Sequence, residues 1–170
     1  MKFSMVEDYS LRCLSLLARH PGQRLTINRI AESEGLSDEN TAKIMARLRD
    51  AGLVESYRGK DGGYALSRPA ASSSVAQVLG GVGGSFFETE LCRGASDATA
   101  CVHESDCGIR SVWTHLGEVI RQFLTSVTLE DLIKPENTVQ LTLMHGRDQI
   151  DRSRLALGTR LPAHVATEIR

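Results

Sequence analysis

Cys92, Cys101 and Cys107 fall within sixteen residues of a 170-residue chain, spaced Cys92-x8-Cys101-x5-Cys107, with Cys13 standing apart near the start. The loop around the three is rich in Gly, Ser, Ala and Asp and offers little apolar surface for cysteines to pack against. Such a loop can wrap several thiolates around one inorganic centre, and thiolates are the ligands that iron–sulfur clusters prefer. The spacing is wider than the C-x2-C knuckles of structural zinc sites, which disfavours zinc. In a reducing compartment, clustered cysteines read as metal ligands or redox thiols, not as disulfides. Three thiolates leave a four-ligand centre one short. Glu7, Asp8, Cys13, His103, the more distant His115 or an exogenous group could complete it. As bare thiols the same cysteines would make a redox switch, and that reading stays open.

A loop of this kind needs elements to hold it. Hydrophobic residues make up 41% of the chain and charged residues 24%, the balance of an ordinary globular protein. No apolar run approaches the roughly 18 residues of a membrane span. The amino terminus, MKFSMVEDYS, lacks the apolar stretch of a secretory signal, so a cytoplasmic location is expected. The net charge of −1 does not by itself suggest a nucleic-acid partner. Residues 1–70 carry eleven Lys and Arg against nine Asp and Glu, a mild basic bias.

From about Ser4 to His20, Tyr9, Leu11, Cys13, Leu14, Leu16, Leu17 and Ala18 crowd one side of a helix that Pro21-Gly22 ends. Thr26 caps a short second helix closed by Gly35, and Ser37 caps a third, with Asp38 and Glu39 in its first turn where the helix dipole favours negative charge. Ile44, Met45 and Leu48 share a face of that third helix, which ends at Ala51-Gly52. Leu53 to Ser67 reads as a β-hairpin turning through Arg58-Gly59-Lys60-Asp61-Gly62-Gly63. A fourth helix follows Ser72-Ser73-Ser74. After the cysteine loop, Val112, Leu116, Val119, Ile120, Phe123, Leu124 and Val127 recur at offsets 0, 4, 7, 8, 11, 12 and 15, one stripe at helical spacing. Thr128 caps a last short helix before Pro135, and the polar remainder has no clear period and reads as a mobile tail.

Two short helices joined by a tight glycine turn, then a glycine-tipped hairpin, follow the order of a winged helix-turn-helix. The expected fold is therefore mainly α with a small β-hairpin. Residues 1–84 would form the DNA-binding domain, 85–108 the cysteine loop, 109–134 a dimerisation helix with a short following helix, and 135–170 the tail. In this reading Thr26, Ser37, Glu39, Asn40, Thr41, Lys43 and Arg47 face DNA from the helices. Arg58, Lys60, Gly62 and Gly63 face it from the wing, with the glycines letting backbone amides approach phosphate. Helix–helix–hairpin patterns also occur in protein-interaction domains, so order alone does not decide the partner. An enzyme reading has no support: there is no C-x-x-C pair and no cofactor-binding glycine fingerprint.

Taken together, the opening helix MKFSMVEDYSLRCLSLLA, the wing GLVESYRGKDGGYALSRPA, the three-cysteine loop and the tryptophan-bearing helix resemble the iron–sulfur winged-helix transcription regulators typified by IscR, NsrR and RirA. The resemblance covers about residues 1–134. It implies a homodimer on a double-stranded DNA operator, with the stripe from Val112 to Val127 at the subunit interface and neither a membrane nor a small-molecule substrate as partner. It also implies an iron–sulfur cluster on Cys92, Cys101 and Cys107. In IscR a histidine three residues after the last cysteine completes the site, and here that position is Arg110. NsrR-like members use an acidic residue of the partner's first helix, a place that Asp8 matches, with Glu7 beside it. This leans the chain toward NsrR or RirA, toward [4Fe–4S] over [2Fe–2S], and toward sensing of nitric oxide, redox state or iron supply.

Overall fold

A computed structural model describes residues 4–59, 61–83 and 107–140. Its elements, in chain order, are α1 (Met5–Ala18), α2 (Ile27–Glu34), α3 (Asp38–Asp50), β1 (Val54–Tyr57), β2 (Gly63–Leu66), a 3-10 turn (Ala70–Ser72), α4 (Val75–Val82), α5 (Gly108–Ser126) and α6 (Leu129–Leu132). The expected class, mainly α with one antiparallel hairpin, is the class observed.

Local chemistry sets each boundary. Ser4 and Glu7 form a reciprocal capping box at α1, with Glu7 N–H donating to Ser4 Oγ at 3.2 Å and Ser4 N–H donating to Glu7 Oε2 at 2.6 Å. Thr26 and Ser37 accept from the amides of Arg29 and Asn40, three residues into α2 and α3. Between those helices Gly35 turns the chain through φ 66°, a left-handed geometry that costs glycine least, and Leu36 N–H closes back on Ala31 O at 2.9 Å. Of the Ser72-Ser73-Ser74 run, Ser74 caps α4, and Gln77 returns the bond.

One apolar cluster unites these pieces. Cys13, Leu14 and Leu17 of α1, Ile30 of α2, and Ile44, Met45 and Leu48 of α3 meet Leu53, Val54, Val78 and Leu129 there. The hairpin pairs Val54 with Leu66 through Tyr57 with Gly63. Leu25, in the segment between α1 and α2, adds a single bridge to β2 by exchanging two backbone hydrogen bonds with Tyr64, at 2.9 and 2.8 Å. This bridge fixes the wing against the helix-turn-helix. Ser74 and Thr128 form a second bridge, which joins the start of α4 to the segment after α5.

Residues Met1–Ile133 form one unit and Lys134–Arg170 another. Within the second, residues 136–140 are helical, a local order the sequence pattern does not announce. Among the described residues no helix is long and apolar enough to cross a membrane.

Candidate nucleic-acid interface and cluster ligands

The third helix divides cleanly. Ile44, Met45 and Leu48 turn into the core, while Asp38, Glu39, Asn40, Lys43 and Arg47 are exposed. Thr41, expected to face DNA, is a correction: it is fully buried, one turn before Ile44 and Met45 on the same face, and its Oγ1 makes no hydrogen bond. Lys43 Nζ lies 2.6 Å from Glu39 Oε1. The hydrogen bond from Lys43 holds the Glu39 carboxyl below its usual range. Asn28 Nδ2 donates to Asp38 Oδ2 at 2.6 Å, tying the α2 and α3 amino ends together. Thr26 and Ser37 are exposed, and both already serve as caps.

On the wing, Arg58 is exposed, and Lys60 lies outside the described residues. The two glycines have a role other than the expected one. Gly62 N–H donates to Gly59 O at 3.0 Å, so that amide is used inside the turn and is not free for phosphate. A Cβ at Gly62 would stand 2.6 Å from Tyr57 O, and one at Gly63 2.7 Å from Leu25 O. Both positions require glycine so that the strand can pass close to its neighbours. Arg24, which the sequence reading passed over, has its guanidinium carbon 3.8 Å from the centre of the Tyr57 ring.

Of the three loop cysteines, Cys107 lies among the described residues; Cys92, Cys101 and His103 lie outside them. Cys107 is the N-cap of α5, and its Sγ accepts from Arg110 N–H at 3.4 Å. That donor set suits a cluster ligand, since backbone N–H groups bonded to cysteine sulfur are a usual feature of iron–sulfur sites. The positive end of α5 also faces any anionic group held there. Asp8 is exposed and pairs through Oδ2 with Arg12 Nε at 2.9 Å. Glu7 is occupied by the α1 capping box. Cys13 drops out as a ligand candidate: it is fully buried in the apolar core, and burial pushes its thiol up to about 12. Among the described residues no three His, Cys, Asp or Glu side chains converge on a common point within one chain.

α5 is the least covered element. None of its nineteen residues is buried, and Ile109 (69%), Val112 (63%), Trp113 (44%) and Leu116 (38%) stand open. Val119, Ile120, Phe123 and Leu124, further along the stripe, are half-buried, with α4 the main packing neighbour of the helix. Val127 is corrected as an interface residue. It follows the last turn, is buried within its own chain, and its carbonyl accepts from Val75 N–H at 2.8 Å. Ile109 and Trp113 extend the open face beyond what the stripe indicated.

A helix-turn-helix with a hairpin wing and a cysteine-capped long helix defines the class: a winged-helix transcription regulator. Residues 4–135 match the Rrf2 family, described as an iron-dependent transcriptional regulator, and the chain belongs to that family. It is 30% identical over 143 residues to the HTH-type transcriptional regulator IscR of Vibrio campbellii, covering 84% of this chain and 83% of that one. Among solved structures it is similar to IscR of T. potens, with TM-score 0.61, 30% identity, and coverage of 78% of this chain and 86% of that one. It is also similar to CymR, the global cysteine regulator of B. subtilis, with TM-score 0.63, 27% identity, and coverage of 78% and 96% respectively.

Proposed function

We propose that the chain acts as a homodimer on a double-stranded DNA operator, with affinity set by an iron–sulfur cluster on Cys92, Cys101 and Cys107 of one subunit and Asp8 of the partner subunit. The carrying observation is the position of Cys107: it is at once a loop cysteine and the residue that caps α5. Whatever occupies or leaves that sulfur acts directly on the first turn of the helix bearing the open apolar face. A cluster, when bound, supplies a group that nitric oxide, oxygen or iron shortage can alter. The chain supplies the coupling. Cys107 anchors α5, α5 packs on α4, and α4 packs on α1 and α3, so the ligand and the recognition helix share one continuous set of contacts. Two sites that bias one arrangement are what linkage requires.

Asp8 is preferred to Glu7 because its carboxylate is exposed and, among the described residues, is held by Arg12, whereas Glu7 caps its own helix. Arg110 stands where IscR-like members carry a histidine, which supports the nearness to NsrR and RirA. An oxygen donor matches iron less well than thiolate, leaving one labile position and favouring [4Fe–4S]. Asn40, Lys43 and Arg47 would meet base edges or phosphates in the major groove, and Arg58 and Lys60 the neighbouring backbone.

The likeness to a global cysteine regulator favours one second reading, in which the same thiols switch without a cluster. Anaerobic purification separates the two. A brown protein with acid-labile sulfide, whose colour decays faster in the Asp8→Ala variant, is the expected result. A protein that stays colourless after reconstitution, and whose DNA affinity follows thiol oxidation, would establish the switch instead.

A further inference from the structure

We propose that Arg24, in the segment between α1 and α2, is a phosphate-contacting residue of the DNA interface, and that Tyr57 of the wing holds it in position. The inference rests on the DNA-binding reading above and adds a residue to it. Three observations converge on this corner. The Arg24 guanidinium lies over the Tyr57 ring, 3.8 Å from its centre. Its Nη1 donates to Asp61 O at 3.4 Å, at the turn of the hairpin. The residue after it, Leu25, is locked to Tyr64 of β2 by two backbone hydrogen bonds.

The chemistry favours an outward anion. An arginine stacked on an aromatic ring has one face covered and its N–H edges left for in-plane acceptors. One of those N–H groups is taken by Asp61 O, and Arg24 is otherwise exposed. The remaining donors form a fork of the kind that fits a phosphate bidentately. Holding the side chain in place beforehand removes part of the rotamer entropy that a free arginine loses on binding. Tyr57 is itself fixed from the other side, because its hydroxyl donates to the Glu55 carboxylate. That bond also raises the Tyr57 phenol above its usual range, so the ring stays neutral under the cation. Arg58, the next residue along the chain, is exposed as well. The corner therefore presents a braced guanidinium where the wing of a winged helix runs along the DNA backbone.

The test uses the full-length protein and two duplexes: one recovered from a random-sequence pool by the wild type, and one of mixed sequence. Wild-type binding to the recovered duplex decides the DNA reading independently of Arg24. Given that binding, Arg24→Gln is expected to weaken affinity for both duplexes by a similar factor, roughly tenfold at low salt. It should also make the log K against log salt slope shallower by about 0.9. Tyr57→Phe, which keeps the ring but loses its bond to Glu55, should lose less than Tyr57→Leu, and Tyr57→Leu should lose part of what Arg24→Gln loses, with little added loss in the double variant. Unchanged affinity in Arg24→Gln, with or without a lower melting temperature, would overturn the proposal and leave a wing brace only. A loss confined to the recovered duplex at unchanged salt slope would overturn it too, in favour of a base contact.

Discussion

The recognition helix α3 and the long helix α5 are both amphipathic, yet they meet opposite fates within one chain. α3 buries Thr41, Ile44, Met45 and Leu48 against its own fold, while α5 buries nothing fully and leaves Ile109, Val112, Trp113 and Leu116 open. A soluble chain seldom leaves a row of large apolar side chains open along one helix unless something covers it. The contrast separates the part of the molecule that closes within one chain from the part that the proposed second copy would cover. It also places Cys107 at the junction, since the cysteine that caps α5 begins the open face.

The largest effect should come from the closed half. Leu48→Ala removes a fully buried side chain from the common core and should cost about 2–5 kcal/mol in chemical unfolding. A loss below about 1 kcal/mol would mean that the α3 face is not the closed surface described. The open half should respond differently. Leu116→Asp should leave the fold of one chain nearly intact but weaken self-association by about 2 kcal/mol or more, because it would set a charge in the proposed apolar interface. Trp113 is the only tryptophan and is 44% exposed in one chain, so its emission should shift to the blue as wild-type concentration rises, and not in the variant. Emission independent of concentration, together with a monomeric mass, would remove the contrast.

A smaller effect concerns Cys13 and sharpens the distinction between core and ligand cysteines. Its thiol is pushed from an ordinary 9.0 to about 12, chiefly by burial and secondarily by Glu34. Between those values the unfolded chain loses this proton and the folded chain keeps it, so folded-state stability falls as pH rises above about 9. The slope contributed by this one group approaches about 1.4 kcal/mol per pH unit. Cys13→Ala should flatten that part of the stability curve relative to wild type. An identical alkaline slope in both proteins would show that Cys13 ionises as readily in the folded chain as in the unfolded one.

Much of this was legible in the residues. Caps at Thr26, Ser37 and Thr128, the glycines at 35, 59, 62 and 63, and the two stripes were enough to order the helices and the wing. Thr41 was misread because a threonine near the amino end of a recognition helix looks polar and outward. Only its register with Ile44, Met45 and Leu48 places it inside. Val127 continued the stripe arithmetically, but the helix had already ended at Ser126, so the spacing no longer referred to a helical face. Arg24 and Tyr57 are far apart in sequence and meet because Leu25 bridges to Tyr64, a pairing that no local pattern encodes. Cys13 could not be told from a ligand by type alone, since burial is a property of the packed core. The expected ligands Cys92 and Cys101 lie outside the described residues, so the cluster proposal rests on Cys107 and Asp8.

The proposed coupling between that cysteine site and DNA affinity is tested directly by one anaerobic measurement. Affinity for the duplex recovered by the wild type would be determined for the cluster-loaded protein, then again after stoichiometric nitric oxide. The same pair of measurements would be made on Cys107→Ser, with visible absorbance followed throughout. A change of about tenfold or more is expected for the wild type, in step with loss of the cluster absorbance, and none for Cys107→Ser. Equal affinity before and after complete loss of that absorbance would contradict it.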